Sequence, residues 1–162
     1  MTLIEIVLRL PNRPGRLAGV ARLLAEQHIN VASIHVDSVR SHGNVRLVVS
    51  DPKGAVPLLK KAGYRVHTNE LIAVQLEDRA GSFLRVLDAL TGEGINIEDV
   101  ALLVQREGRR TLVALGVKDL AKARRILRKA GFLSAEAERL VLNSELVAAV
   151  PAIPSSSVGM LM

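Results

Sequence analysis

Cysteine and tryptophan are absent from this 162-residue chain, and Tyr64, Phe83 and Phe132 are its only aromatic residues. Without a thiol there is no disulfide framework, no cysteine-ligated metal and no cysteine nucleophile, and a reducing compartment is allowed. So few rings leave almost nothing for unpaired bases to stack on, which argues against a reader of single-stranded nucleic acid. The formal charge of +6, from 22 Lys and Arg against 16 Asp and Glu, then reads as a solvated basic surface rather than a nucleic-acid footprint. Long apolar runs are missing too. The longest uncharged stretch, Leu146 to Met162, is broken by Pro151, Pro154 and three serines, whereas a membrane span needs about 20 mainly apolar residues. Met1-Thr2-Leu3-Ile4-Glu5 carries no basic and apolar leader, so no membrane association and a cytoplasmic location are expected. A Gly-x-Ser-x-Gly elbow, a phosphate-cradling Gly-rich loop with Lys and a His-Glu-x-x-His pair are all absent, so the expectation is a non-enzyme without a cofactor.

What is present is an ordinary globular balance, 49% apolar and 23% charged, organised as a repeat. Leu10-Pro11-Asn12-Arg13-Pro14-Gly15-Arg16-Leu17 aligns with Leu76-Glu77-Asp78-Arg79-Ala80-Gly81-Ser82-Phe83, an offset of 66 residues from Gly15 to Gly81. The same offset carries Ile29-Asn30-Val31 onto Ile95-Asn96-Ile97. Lys61-Ala62-Gly63-Tyr64 matches Lys129-Ala130-Gly131-Phe132 at an offset of 68, so the second copy holds two extra residues.

Within the first copy, Ile4, Ile6, Leu8 and Leu10 alternate as a strand does, and after Pro14-Gly15 the apolar residues Leu17, Val20, Ala21 and Leu24 recur at helical spacing. Phe83, Val86, Leu87 and Leu90 repeat that face. Val31 to Val39 and Val45 to Val49 read as a hairpin turning at Ser41-His42-Gly43-Asn44. Asp51-Pro52 starts a second helix that Gly63 stops, and Tyr64 to Thr68 closes the copy as a short strand. The order is β-α-β-β-α-β, an α+β class in which two ferredoxin-like units, each an antiparallel sheet with helices on one face, pack side by side. The units are expected at 1–69 and 70–142, with the strand signal of the second returning near Arg139 to Leu142. In the remainder, 143–162, Asn143 to Val150 echoes Asn69 to Val74 and reads as an extra strand or a loose tail.

Pro-Gly-x-Leu between a strand and a helix, with Ile-Asn where that helix ends, makes each unit resemble an ACT domain. Asn12 to Leu17, Val45 to Pro52 and Glu77 to Gly81 carry the likeness, and the whole resembles the stand-alone tandem ACT-domain proteins over roughly residues 3–142. The resemblance implies a non-catalytic regulatory protein that holds an amino acid between two ACT units. It implies a site built from Asn12, Arg13, Pro14, Gly15, Arg16 and Leu17, from Asp78 and Gly81 of the second bend, and from Asn30 and Asn96 after the first helix of each unit. Side-by-side pairing would bring Asn12 towards Asn96 and Asp78 towards Asn30. Some family sites carry His two residues before the first Asn, where this chain has Leu10, and the second copy replaces Asn by Asp78 and Pro by Ala80. Implied partners are an amino acid, a second copy in a homodimer or larger homo-oligomer, and a metabolic enzyme. The alternative is a regulatory or scaffold subunit acting in trans with a degenerate ligand site.

The residue types suit that chemistry by themselves. An Asn amide offers one acceptor and two donors, enough for both ends of a zwitterion. Unpaired N–H groups at a helix start suit a carboxylate. Each residue also has a plainer reading: Asn12 as a turn or cap, Asn30 and Asn96 as helix-to-strand joints, His35 and Asp37 as a polar strand face short of a metal site, and Arg106, Arg109, Arg110, Arg124, Arg125, Arg128 and Lys129 as solvated faces.

Overall fold

Alternation of Ile6, Leu8 and Leu10 on one side of the first strand fixes which face of the sheet must be covered. All three are buried. The computed structural model describes residues 2–39, 41–103 and 110–133. Along them the order is β1 (Thr2–Pro11), α1 (Arg16–Glu26), β2 (Val31–Val39), β3 (His42–Val49), α2 (Pro52–Lys61), β4 (Val66–Glu77), α3 (Ser82–Thr91), β5 (Ile97–Leu103), β6 (Arg110–Val117) and α4 (Leu120–Lys129). The described strands form one six-stranded sheet in the order β2-β3-β1-β4-β6-β5, antiparallel throughout. The fold is α+β and ferredoxin-like.

The two units share a strand. Expected as separate pieces, the end of the first copy and the start of the second run on as β4. Its N-terminal part pairs with β1 (Thr2 opposite Ile72, Leu8 opposite Val66) and its C-terminal part with β6 (Ile72 opposite Leu115, Glu77 opposite Arg110). The hairpin between β2 and β3 is tighter than the sequence suggests, with Val39 already paired to His42. The expected strand at Arg139–Leu142 and the echo at Asn143–Val150 lie outside the described residues, as do Arg106 and Arg109.

All four helices cover one face. Val20 and Leu24 of α1 with Ala55 and Leu59 of α2 close over Ile6, Leu8, Leu10, Val45, Leu47 and Val49. Val86 and Leu90 of α3 with Ala123 and Leu127 of α4 close over Ile72, Val74, Leu76, Val113, Leu115 and Val117. Ala21, expected on the buried side of α1, is exposed, and Leu23 takes part in the core instead. Asp51 caps α2 by accepting from Gly54 N–H at 3.0 Å, and Asp119 caps α4 by accepting from Lys122 N–H at 2.8 Å. Losing such a cap costs about 1 kcal/mol, so Asp51→Ala is expected to lower the unfolding free energy by that amount in urea denaturation. Arg124 of α4 donates to Thr2 Oγ1 on β1, which ties the second unit's helix to the first unit's strand.

The uncovered face is concave. The sheet curls so that β2 and β5, the outermost strands, approach one another. A smaller apolar cluster of Val48, Leu71, Ala73, Leu103, Leu112 and Ala114 fills part of the hollow.

Candidate functional site

The two strand-to-helix bends repeat each other bond for bond. In the first, Arg13 N–H donates to the Pro11 carbonyl, Arg16 N–H to Arg13 and Gly19 N–H to Gly15. In the second, Arg79 N–H donates to Glu77, Ser82 N–H to Arg79 and Arg85 N–H to Gly81. Gly15 sits at φ 82° and Gly81 at φ 84°, in the left-handed region where an L side chain costs roughly 1–2 kcal/mol. Neither α1 nor α3 has a side-chain cap, in contrast to α2 and α4. Arg16 and Ser82 N–H turn back into the bend, which leaves the next N–H groups, of Leu17 and Ala18 in α1 and of Phe83 and Leu84 in α3, for a carboxylate. Asn12 is held in place through its backbone, whose N–H donates to the Ser41 carbonyl at 2.9 Å.

The register separates what side-by-side pairing within one chain was expected to join. β1 and β4 run in opposite directions with Leu8 opposite Val66 and Thr2 opposite Ile72, so Pro11 and Glu77 leave the sheet at opposite ends. About fourteen strand residues lie between their levels, roughly 46 Å at ~3.3 Å each. Arg13, Pro14, Arg16 and Leu17 accompany Asn12 and Gly15 at one end, and Asp78 and Gly81 stand at the other. Asn30 and Asn96 lead into β2 and β5 near mid-sheet, since Val31 pairs with Val49 and Ile97 with Val117. Neither Asn12 with Asn96 nor Asp78 with Asn30 is brought together inside one chain. Asn30 is engaged locally: its N–H donates to Ser50 Oγ at 2.9 Å, and its carbonyl accepts from Ser50 N–H at 2.9 Å.

A second polar site, not anticipated from the sequence, occupies the concave face. Glu5 on β1 is only 2% exposed, and its Oε2 accepts from Asn69 Nδ2 on β4 at 3.1 Å. Arg46 on β3 reaches across to β5, with Nη1 2.8 Å from Asp99 Oδ1, and lies 3.8 Å from Asp37 on β2. His35 Nε2 is 2.9 Å from the other oxygen of Asp37. A bulge between Ile97 and Asp99 turns Asp99 inward, and Gly116 opposite leaves the room, because a Cβ there would lie 2.9 Å from Asp99 Cβ. Among the described residues, no three His, Cys, Asp or Glu side chains are grouped to hold a metal ion.

Burial pushes the Glu5 carboxyl above its ordinary range. Asp99 adds to the rise, while the Asn69 hydrogen bond and Arg46 oppose it. The folded chain therefore holds that proton more tightly than the unfolded one. The stabilisation is complete below the usual carboxylate pKa and is lost as pH rises through the folded value. Glu5→Gln keeps an acceptor for Asn69 and removes the buried charge. It is expected to raise Tm at neutral pH, by roughly 2–4 °C per kcal/mol in a chain of this length, and to flatten the dependence of Tm on pH across the acidic range. A wild-type profile in scanning calorimetry would contradict this account of Glu5.

The model of the ACT domain matches residues 4–62, the first unit. ACT domains are small-molecule-binding regulatory modules. Among solved structures, the chain resembles a protein of Bacteroides thetaiotaomicron with a TM-score of 0.75 and 24% identity, over 81% of this chain and 90% of that one. It also resembles the ligand-free regulatory subunit of aspartate kinase from Thermus thermophilus, with a TM-score of 0.56 and 20% identity over 80% of this chain and 91% of that one. For the aspartokinase alpha and beta subunits the TM-score is 0.52 at 20% identity, over 82% of this chain and 97% of that one. At these identities the likeness is one of fold. No curated protein gives a significant match. Beyond the matched ACT domain, the second unit keeps its bend, its capping pattern and its helix stops at the offsets already given. Among the described residues, no helix is long and apolar enough to cross a membrane.

Proposed function

We propose that this chain is a non-catalytic regulatory protein with two ACT units, residues 1–69 and 70–142, and that it binds a free amino acid at the strand-to-helix bends. The observation that carries the reading is the duplicated bend itself, with a left-handed glycine and an uncapped helix start in each copy. In the first copy the carboxylate sits on the N–H groups after Gly15, and Asn12 serves the ammonium end. In the second copy Asp78 accepts from the ammonium but repels the carboxylate, so the Asn12 site is the stronger of the two.

The neighbouring unit that completes each site comes from a second copy of the chain. Two observations support this. The register keeps Asn12 and Asn96 of one chain apart. The outer strands and the helices after the bends also carry matched apolar side chains in solvent: Leu17, Ile34 and Val36 in the first unit, and Phe83, Val100 and Leu102 sixty-six residues on. A homo-oligomer formed through these edges covers them and places one copy's Asn96 beside another's Asn12. The listener is an amino-acid-metabolism enzyme, acting on whichever subunit arrangement the ligand favours.

A thermal-shift series with the twenty amino acids tests the reading. A ligand at 100 times its Kd stabilises the folded state by about 2.7 kcal/mol, so one compound or a small chemical group of them is expected to raise Tm by several degrees. The separation of the two bends within one chain favours a second reading, a scaffold subunit whose pockets are degenerate. A flat series, with the protein still oligomeric by light scattering, would select the scaffold.

A further inference from the structure

We infer that the concave face holds a second binding site, distinct from the bends, for a small aliphatic primary ammonium ion. The site is a cavity of about 260 Å³ between β2 and β5, floored by Glu5, Arg46 and Val48 and walled by Ser33 to His35 and Asp99 to Leu102.

The repeat acts as an internal control on what this face needs in order to fold. Across the duplication Glu5 corresponds to Leu71, Arg46 to Ala114 and Asp99 to Ser33. Leu71 and Ala114 lie in the apolar cluster of the same face, both almost fully buried. The sheet is therefore satisfied by apolar residues at two of these positions and by a small hydroxyl at the third. Glu5, Arg46 and Asp99 are the departures, and they converge from β1, β3 and β5 on one hollow.

Their hydrogen bonding is incomplete in one direction only. Arg46 is paired to Asp99 and Asp37, so the one guanidinium is already spent on carboxylates. Asp99 Oδ1 accepts from Arg46 and from Val100 N–H, whereas buried Asp99 Oδ2 has no N–H donor among the described residues, and Asp99 faces the Glu5 carboxyl, with which it hydrogen-bonds when Glu5 carries a proton. A buried carboxylate oxygen left unpaired is costly. Facing Glu5 and Asp99 repel when both are ionised, and one guanidinium serves three carboxyls here; an ammonium brings a positive charge and three donors to relieve that repulsion. Ile34, Val48, Val100 and Leu102 along the walls suit a short alkyl body. An anionic ligand finds no free cation on the floor and meets Glu5 and Asp99.

The test is a calorimetric titration of the full chain with n-butylammonium, alongside butanoate and 1-butanol as probes of equal length. Saturable 1:1 binding of the ammonium is expected, with neither control binding within tenfold of it. Asp99→Asn is expected to weaken binding at least tenfold and Glu5→Gln to weaken it less, and Gly15→Ala in the first bend is expected to leave it unchanged. Should Asp99→Asn fail to fold, by circular dichroism, Glu5→Gln carries the test alone. Absence of saturation through the millimolar range, equal binding of butanol or butanoate, wild-type affinity in Asp99→Asn, or loss of binding in Gly15→Ala would each overturn the assignment. Because the amino-acid series reads the bends and this titration reads the hollow, either site can fail without the other.

Discussion

Ile72→Ala is expected to destabilise the entire chain by about 2–5 kcal/mol, the range for truncating a fully buried aliphatic side chain, and to do so in a single transition. Ile72 is 0% exposed and belongs to the core beneath α3 and α4. Its backbone is the point where β4 changes partners, opposite Thr2 of β1 on one side and Leu115 of β6 on the other. A cavity opened there is next to the ladders of both units. Two units joined by a linker would respond separately, the first keeping its stability while the second lost its own. With β4 common to both, hydrogen exchange should show amides of β3 in the first unit and of β6 in the second losing protection in parallel. Loss confined to β6 would mean that the units unfold independently.

Asn12→Ala is expected to weaken amino-acid binding by roughly 1.5–3 kcal/mol, the usual worth of a hydrogen bond to a charged group. That is about a 10- to 150-fold rise in Kd. The backbone at this position is also held through the Asn12 N–H to Ser41 carbonyl bond, and the ligand-free Tm of the variant is measured alongside to separate binding from folding. Calorimetry with the compound that gives the largest thermal shift is the measurement. Binding within twofold of wild type would remove Asn12 from the site. Asn96→Ala should weaken binding in the same direction if a second copy completes the pocket, and mixing the two variants should restore a fraction of intact sites.

Much of this architecture was legible in the residues. Alternation in Ile4 to Leu10, helical spacing in Leu17 to Leu24 and Asp51-Pro52 as a helix start all gave the right elements, since each is a local consequence of side-chain period or capping. The sharing of β4 was hidden because His67, Thr68, Asn69 and Glu70 interrupt the apolar pattern there, so the strand read as two pieces. Those polar residues lie where β4 crosses from one helical layer to the next. The concave site was hidden for a different reason. Glu5, Arg46 and Asp99 occupy the polar phase of alternating strands, which ordinarily faces water, and it is the curl of the sheet that buries them. A signal did exist: the repeat places Leu71 where the first unit has Glu5, and an apolar residue in the supposed solvent phase marks a face that is not solvent.

The joint between the repeats has a parity. Because side chains alternate along a strand, Val66, which serves the first core, and Ile72 and Val74, which serve the second, lie an even number of residues apart, and the offset of 66 from Gly15 to Gly81 is even as well. Insert or delete one residue between Val66 and Leu71, and α3 and α4 would be sent to the opposite side of the sheet. The hollow beside Glu5 would then be roofed by helices. An open basin on this molecule depends on counting in twos.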